Sequence, residues 1–179
     1  MKEKLTNNQF ILVLHGPSCG GKSTVSDIIF KKYGGIFKGK SDTIKRLISD
    51  YDNTIHHDLV GIMTIETMRV ALEHGLSVMK EGGLYGLDEM VALSQTHQIP
   101  LFIANISAPW EILLERFDQR IASPIPGVKI NTDHTKFKEI FDTYHATKID
   151  SPLTFDSSIQ SPDEIVTVII STITHHFGK

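Results

Sequence analysis

Nine consecutive residues, Gly16-Pro17-Ser18-Cys19-Gly20-Gly21-Lys22-Ser23-Thr24, have the spacing G-x-x-x-x-G-K-[ST]. In this pattern glycines let successive backbone N–H groups turn inward around a phosphate, and a helix starting at the lysine adds its positive N-terminal end. Lys22 is then placed to reach the β- and γ-phosphates of a nucleotide, Ser23 to ligate Mg2+, and Thr24 to support the loop or the α-phosphate. A chance glycine-rich turn does not account for every fixed position falling between an apolar run and a helix-like one. Cys19, the sole cysteine, is read as a small side chain tolerated at a variable position, with no redox role.

The elements that must hold this loop follow from the hydrophobic periodicity. Phe10 to His15 is an almost continuous apolar run, as expected for a central parallel strand covered on both faces. A helix is predicted from Lys22 to Tyr33, then a short strand from Ile36 to Gly39. Ser41 or Asp42 can cap a helix carrying Ile44, Leu47 and Ile48, and an amphipathic stretch runs from Asp58 to His74. A third strand, Leu76 to Lys80, ends at Glu81-Gly82-Gly83, and a helix near Leu87 to Thr96 precedes a fourth strand from Leu101 to Ile106. Pro109 suits the first turn of a helix through Trp110 to Arg120, followed by a loop from Ile121 to Thr135. A helix near Lys136 to Thr147, a strand from Leu153 to Asp156 and a last helix opened by Ser161-Pro162-Asp163-Glu164 complete the chain.

Five strands alternating with helices predict an α/β protein of three layers, α/β/α. Its sheet should be parallel with the first strand central and should present its ligand at the carboxyl ends of the strands. At 179 residues, with 40% hydrophobic and 22% charged residues, residues 1–179 are expected to form one globular domain. The formal net charge of −3 argues against nucleic acid or an anionic membrane as partner. One cysteine permits no intrachain disulfide, and no apolar run approaches the roughly 20 residues of a membrane span, so a cytoplasmic protein is expected.

Several kinds of enzyme use this loop. Asp58-Leu59-Val60-Gly61 and Thr147-Lys148-Ile149-Asp150 match patterns used by GTPases, but each should follow an apolar strand, and the residues before them are polar or helix-like. Three other segments, taken with the loop, point elsewhere: Ser41-Asp42-Thr43-Ile44-Lys45-Arg46, Val78-Met79-Lys80-Glu81-Gly82-Gly83, and Leu113 to Arg120. Over Phe10 to about Ile170 the chain resembles the small-molecule and nucleotide kinases of the P-loop NTPase fold, a group that includes shikimate kinase-like, chloramphenicol phosphotransferase-like and polynucleotide kinase-like proteins, and this resemblance implies a five-stranded sheet of order 2-3-1-4-5.

The resemblance implies a transfer of the γ-phosphoryl of ATP, with Mg2+, to the hydroxyl of a small acceptor. Asp42 would orient that hydroxyl and accept its proton, Arg46 and Arg69 would bind acceptor groups, and Gly82 and Gly83 would let the acceptor approach the backbone. Glu81 would hold a magnesium-bound water, although glutamate stands where such kinases more often carry aspartate. Arg116 and Arg120 lie four apart on one helical face, and guanidinium groups there would bind and stabilise the transferred phosphate, the first also serving the nucleotide. The loop 121–135 would be a lid that excludes water. Ser157 to Ser161 would form an adenine-contacting turn.

Plainer explanations exist for most of these residues: an N-cap for Asp42, surface ion pairs for Arg116 and Arg120, a solvated helix face for Arg69. Nine histidines, including the adjacent His56-His57, lack the arrangement of a metal cluster. Two alternatives to a kinase stand: a non-catalytic nucleotide-sensing module, and a GTPase. The identity of the acceptor and the oligomeric state are not legible.

Overall fold

The computed structural model describes residues 2–82, 86–123 and 132–178. Its elements, in chain order, are β1 (Ile11–His15), α1 (Lys22–Lys32), β2 (Ile36–Gly39), α2 (Ser41–Lys45), α3 (Asn53–Glu73) and β3 (Ser77–Gly82). They continue with α4 (Leu87–His97), β4 (Leu101–Ser107), α5 (Trp110–Ala122), α6 (His134–Thr147), β5 (Leu153–Asp156) and α7 (Pro162–His176). The five strands form one sheet of order β2-β3-β1-β4-β5, and every pairing is parallel, as expected from the sequence.

Every residue of β1 is buried, because helices cover both faces of the sheet. Leu12, Leu14 and Met79 pack with Val25, Ile29, Ile165 and Ile169 of α1 and α7 on one face. Ile11, Val13 and Val78 pack with Met68, Leu72, Met90 and Leu93 of α3 and α4 on the other. The alternation of side chains along each strand makes this division, and it later decides which residues of β3 meet the loop. A smaller cluster joins α5 to α6, with the Phe117 and Phe137 rings stacked at 4.1 Å. Among the described residues no helix is long and apolar enough to cross a membrane.

Four expectations need correction. The helix after β2 stops at Lys45, leaving Leu47 outside it and 72% exposed. Lys40 occupies the cap position, so neither Ser41 nor Asp42 caps α2. The amphipathic helix begins at Asn53, five residues before the predicted Asp58, because the Asp52 side chain accepts hydrogen bonds from the Thr54 and Ile55 N–H groups and satisfies the first turn. Pro109 sits at the cap position of α5 with extended backbone, rather than inside the first turn. The predicted start of α7 holds: Ser161 and Glu164 form a reciprocal capping box with Pro162 as its first residue.

Candidate active site

Gly16 to Thr24 connects β1 to α1 at the carboxyl end of the sheet. The loop lies directly against β4. A Cβ on Gly16 would fall 2.0 Å from the Ile106 carbonyl oxygen, and one on Gly20 would fall 2.7 Å from the same atom. Only glycine fits at either position, so the shape of the loop depends on the strand beneath it. Gly21, with φ of 96°, then turns the chain into α1, whose first N–H groups face the loop.

Lys22 is half-buried, and its Nζ donates to the Pro17 carbonyl at 2.6 Å, across the cradle. Burial pushes its pKa down to about 8, with Arg120 adding repulsion while Glu81 and Cys19 oppose the shift. Burial also pushes the Cys19 thiol up, despite nearby Arg120, Lys22 and Arg116, and a protonated thiol suits the inert role given it.

Glu81 is the centre of a polar network beside the loop. Ser23 Oγ donates to Glu81 Oε2 at 2.6 Å, and Ser26 Oγ donates to Oε1. Lys38 Nζ lies 2.7 Å from Oε1 and also pairs with Asp27 at 2.5 Å. Burial alone would raise the Glu81 pKa, but hydrogen bonds from Lys38, Ser23 and Ser26 hold it below its ordinary value. The carboxylate is therefore negative and fixed next to Ser23. A hydroxyl and one carboxylate are hard oxygen donors of the kind Mg2+ takes when substrate phosphates and water supply the rest of its shell. Sequence reasoning picked out Ser23 and Glu81 but missed Lys38, whose only signal was a charged residue inside a short strand.

The four arginines have different surroundings. Arg116 Nη1 donates to Ser157 Oγ at 2.9 Å and to the Cys19 carbonyl at 3.3 Å, and Nη2 donates to the Ser157 carbonyl at 2.8 Å. It thus ties α5 to both the phosphate loop and the turn after β5. Cys19, Thr24, Arg116, Ser157, Gln160 and Pro162 line a cavity there of about 250 Å3. Arg120 is exposed but faces Cys19 and Lys22. Arg69 is held by Glu66 and Glu73 along α3 and does not line the cleft described next, so the structure gives it the surface ion-pair role. Arg46 is exposed at the end of α2 and is likewise absent from that cleft.

A second cavity, of about 120 Å3, opens between α2, α3 and the end of β3. Ser41, Lys45, His57, Thr64, Lys80 and Gly82 are among its lining residues. Asp42 lies between Ser41 and Lys45 in sequence but is not itself a lining residue, and its Oδ1 accepts from Lys45 Nζ at 3.0 Å. Its carboxylate is 71% exposed, so solvent and a substrate can both reach it. His57 and Lys80 were not singled out from the sequence. Gly83, and 124–131 of the proposed lid, lie outside the described residues. The flanks of that segment meet: His134 Nε2 is 2.7 Å from Asp118 Oδ1. The GTPase patterns fail on geometry, since Asp58 to Gly61 lies within α3 and Thr147 to Asp150 spans the end of α6 and the coil after it.

No family sequence model matches the chain, and no curated protein sequence matches it. Solved structures do resemble it. A protein of Chloroflexus aurantiacus named only provisionally as a kinase superposes with a TM-score of 0.69 at 18% identity, over 94% of this chain and 98% of the other. The tunicamycin resistance protein of Deinococcus radiodurans gives 0.62 at 10% identity, over 93% and 96%. Shikimate kinase from Aquifex aeolicus gives 0.59 at 17% identity, over 93% and 98%. At these identities the likeness is one of fold, and the fold is that of the P-loop kinases.

Proposed function

We propose that the protein transfers the γ-phosphoryl group of ATP to a hydroxyl of a small acceptor bound between α2, α3 and β3. The observation that carries this reading is the contact of Ser23 with Glu81 at 2.6 Å, which puts an acid from the end of β3 beside the loop hydroxyl while an acceptor-sized cleft opens next to it. In this reading the base lies against Arg116, Ser157 and Pro162, and the phosphates lie along the loop, with Lys22 and Arg120 directed at them.

The acceptor oxygen attacks the γ-phosphorus, the bond from that phosphorus to the bridging oxygen breaks, and ADP leaves with the electron pair. Asp42 orients the hydroxyl and takes its proton, for which it must release Lys45. Mg2+, entering with the nucleotide, would be held by Ser23 and, directly or through water, by Glu81, and it supplies neutralising charge to the phosphate oxygens. Arg116 binds the nucleotide, while Arg120 is the arginine left to meet the transferred group. The cleft's limited size supports a small acceptor.

The test is ADP formation from MgATP across pools of polyols, sugars, hydroxy acids, nucleosides and aminoglycosides, for wild type and Asp42→Asn. Acceptor-stimulated turnover that falls by about 10²–10⁴ in the variant, with ATP affinity retained, is the expected result. ATP binding without stimulated turnover in any pool would favour the sensing module instead, and preference for GTP would favour the GTPase.

A further inference from the structure

The fold holds a third cavity, of about 460 Å3, that neither the nucleotide nor the acceptor occupies in the reading above. It arises from the seating of α6. Phe137, near the start of that helix, stacks on Phe117 of α5 at 4.1 Å, and Tyr144, near its end, lies 4.9 Å from the His15 ring of β1. Between the last turns of α6 and the carboxyl ends of β4 and β5 a gap remains. Helix and sheet line it differently. Phe141, Tyr144 and His145 form an aromatic wall, with ring centroids 4.3 Å apart for Phe141 and His145 and 5.0 Å apart for Tyr144 and His145. Opposite them stand Ser107, Thr154 and Asp156, which share one face of the sheet because Ser107 pairs with Asp156 and side chains alternate along β5.

The two charges in the lining enter at different levels. Lys148 precedes Ile149, whose carbonyl accepts from Asn105 Nδ2 at 2.8 Å, and Asn105 pairs with Thr154. Asp156 stands two residues further along β5, a step of about 6–7 Å. Ser158 donates to Asp156 Oδ1 through both its N–H and its hydroxyl, which holds the carboxylate ionised with help from Arg116 on the nucleotide side. Among the described residues no hydrogen bond reaches Asp156 Oδ2, and neither Asp156 nor Lys148 is in an ion pair. Tyr144 is 5% exposed, and its hydroxyl likewise makes no hydrogen bond among those residues.

An aromatic wall facing a polar floor, with an ammonium toward one end and a carboxylate toward the other, complements a flat molecule whose ring stacks on the wall and whose ends carry opposite charge. We propose that this cavity is a second ligand site, taking a small aromatic compound with an anionic group for Lys148 and an amino group for Asp156. Its volume lies within the range of small-molecule sites and exceeds that of the cavity beside Arg116. Gln160 lines both, so the occupant and the nucleotide lie back to back across the turn after β5. The inference does not depend on phosphoryl transfer and is tested by binding.

NMR titration compares benzyl alcohol, benzoate, benzylamine and p-aminomethylbenzoate, with the cyclohexane analogue of the last as a ring that cannot stack. Each is measured with and without an excess of a non-hydrolysable ATP analogue. p-Aminomethylbenzoate should bind about tenfold or more tightly than benzyl alcohol, with the singly charged probes between them. The saturated ring should cost about threefold or more. Lys148 is exposed, so its variants are expected to fold. Lys148→Glu should abolish the preference for benzoate over benzyl alcohol, Lys148→Arg should keep it, and the ATP analogue should not displace the probe. Equal binding of p-aminomethylbenzoate and benzyl alcohol, or no binding of any probe, overturns the proposal. So does a benzoate preference unchanged in Lys148→Glu. Displacement by the ATP analogue would put the ring in the nucleotide cavity and overturns it as well.

Discussion

Replacing Lys22 with methionine is expected to stabilise the nucleotide-free protein while removing its grip on phosphate. The ammonium donates to the Pro17 carbonyl inside a loop shaped for anions, and burial moves its pKa from the ordinary 10.5 to about 8. That displacement corresponds to about 3 kcal/mol of unfavourable charge burial. Solvent reaching this half-buried residue screens part of it, leaving an expected gain of about 1–3 kcal/mol for Lys22→Met at pH 7. The pH dependence fixes the origin of the effect. Below pH 8 both folded and unfolded chains carry the proton and the whole penalty is present. Between about 8 and 10.5 the folded chain sheds the proton first, so the wild type gains stability as pH rises and the advantage of the variant fades. Urea denaturation at pH 7 and pH 10 measures both, and a gain of this size raises the melting temperature by about 2–4 °C per kcal/mol. A variant no more stable than wild type at pH 7, or a gain that persists undiminished at pH 10, would refute the reasoning.

Glu81→Gln should lower turnover by about 10–100-fold and destabilise the fold by about 1–3 kcal/mol, since Lys38, with a side chain only 9% exposed, keeps Asp27 alone as its charged partner. The wild-type contribution of Glu81 is present above the ordinary carboxylate range and is lost as pH falls through its lowered folded pKa, which an acid titration of wild type against variant will show. Ser161→Ala removes the capping box of α7 and should cost about 1 kcal/mol in calorimetry. His15 is buried at the end of β1 against Tyr144, with neither ring nitrogen in a hydrogen bond of normal geometry. Burial lowers its pKa, the Gly82 backbone opposes this, and Lys22 and Lys80 reinforce it. Stability should therefore fall as pH drops below about 6.5, by up to about 1.4 kcal/mol per pH unit, and His15→Gln should lose that component in paired denaturation curves at pH 5 and 7.

The phosphate-loop pattern was legible because it is local: nine contiguous residues between a strand and a helix specify the turn that joins them. The parallel sheet with β1 inside it followed from alternating β and α periodicity and the right-handed crossover rule, its exact order only from the resemblance, and the start of α7 from a cap that lies entirely within four residues. The start of α3 was missed because Asn53 to His57 has little apolar pattern, and the signal was the side chain of Asp52 one residue earlier. A linear reading gave Arg69 to the acceptor and Arg116 to the phosphates and nucleotide, yet one is held by its own helix and the other reaches Ser157, distant in sequence. Lys38 and Lys80 are lysines within strands, and nothing in the order of residues says which side of a strand will be covered, or by what. The sequence by itself determined the glycine-rich turn between β1 and α1 and the layering of the fold, since both depend on neighbours along the chain. Only the tertiary structure decided that Glu81 faces Ser23 and Lys80 lines the cleft between α2, α3 and β3, because adjacent residues of one strand point to opposite layers, and what waits in each layer comes from helices far away in sequence.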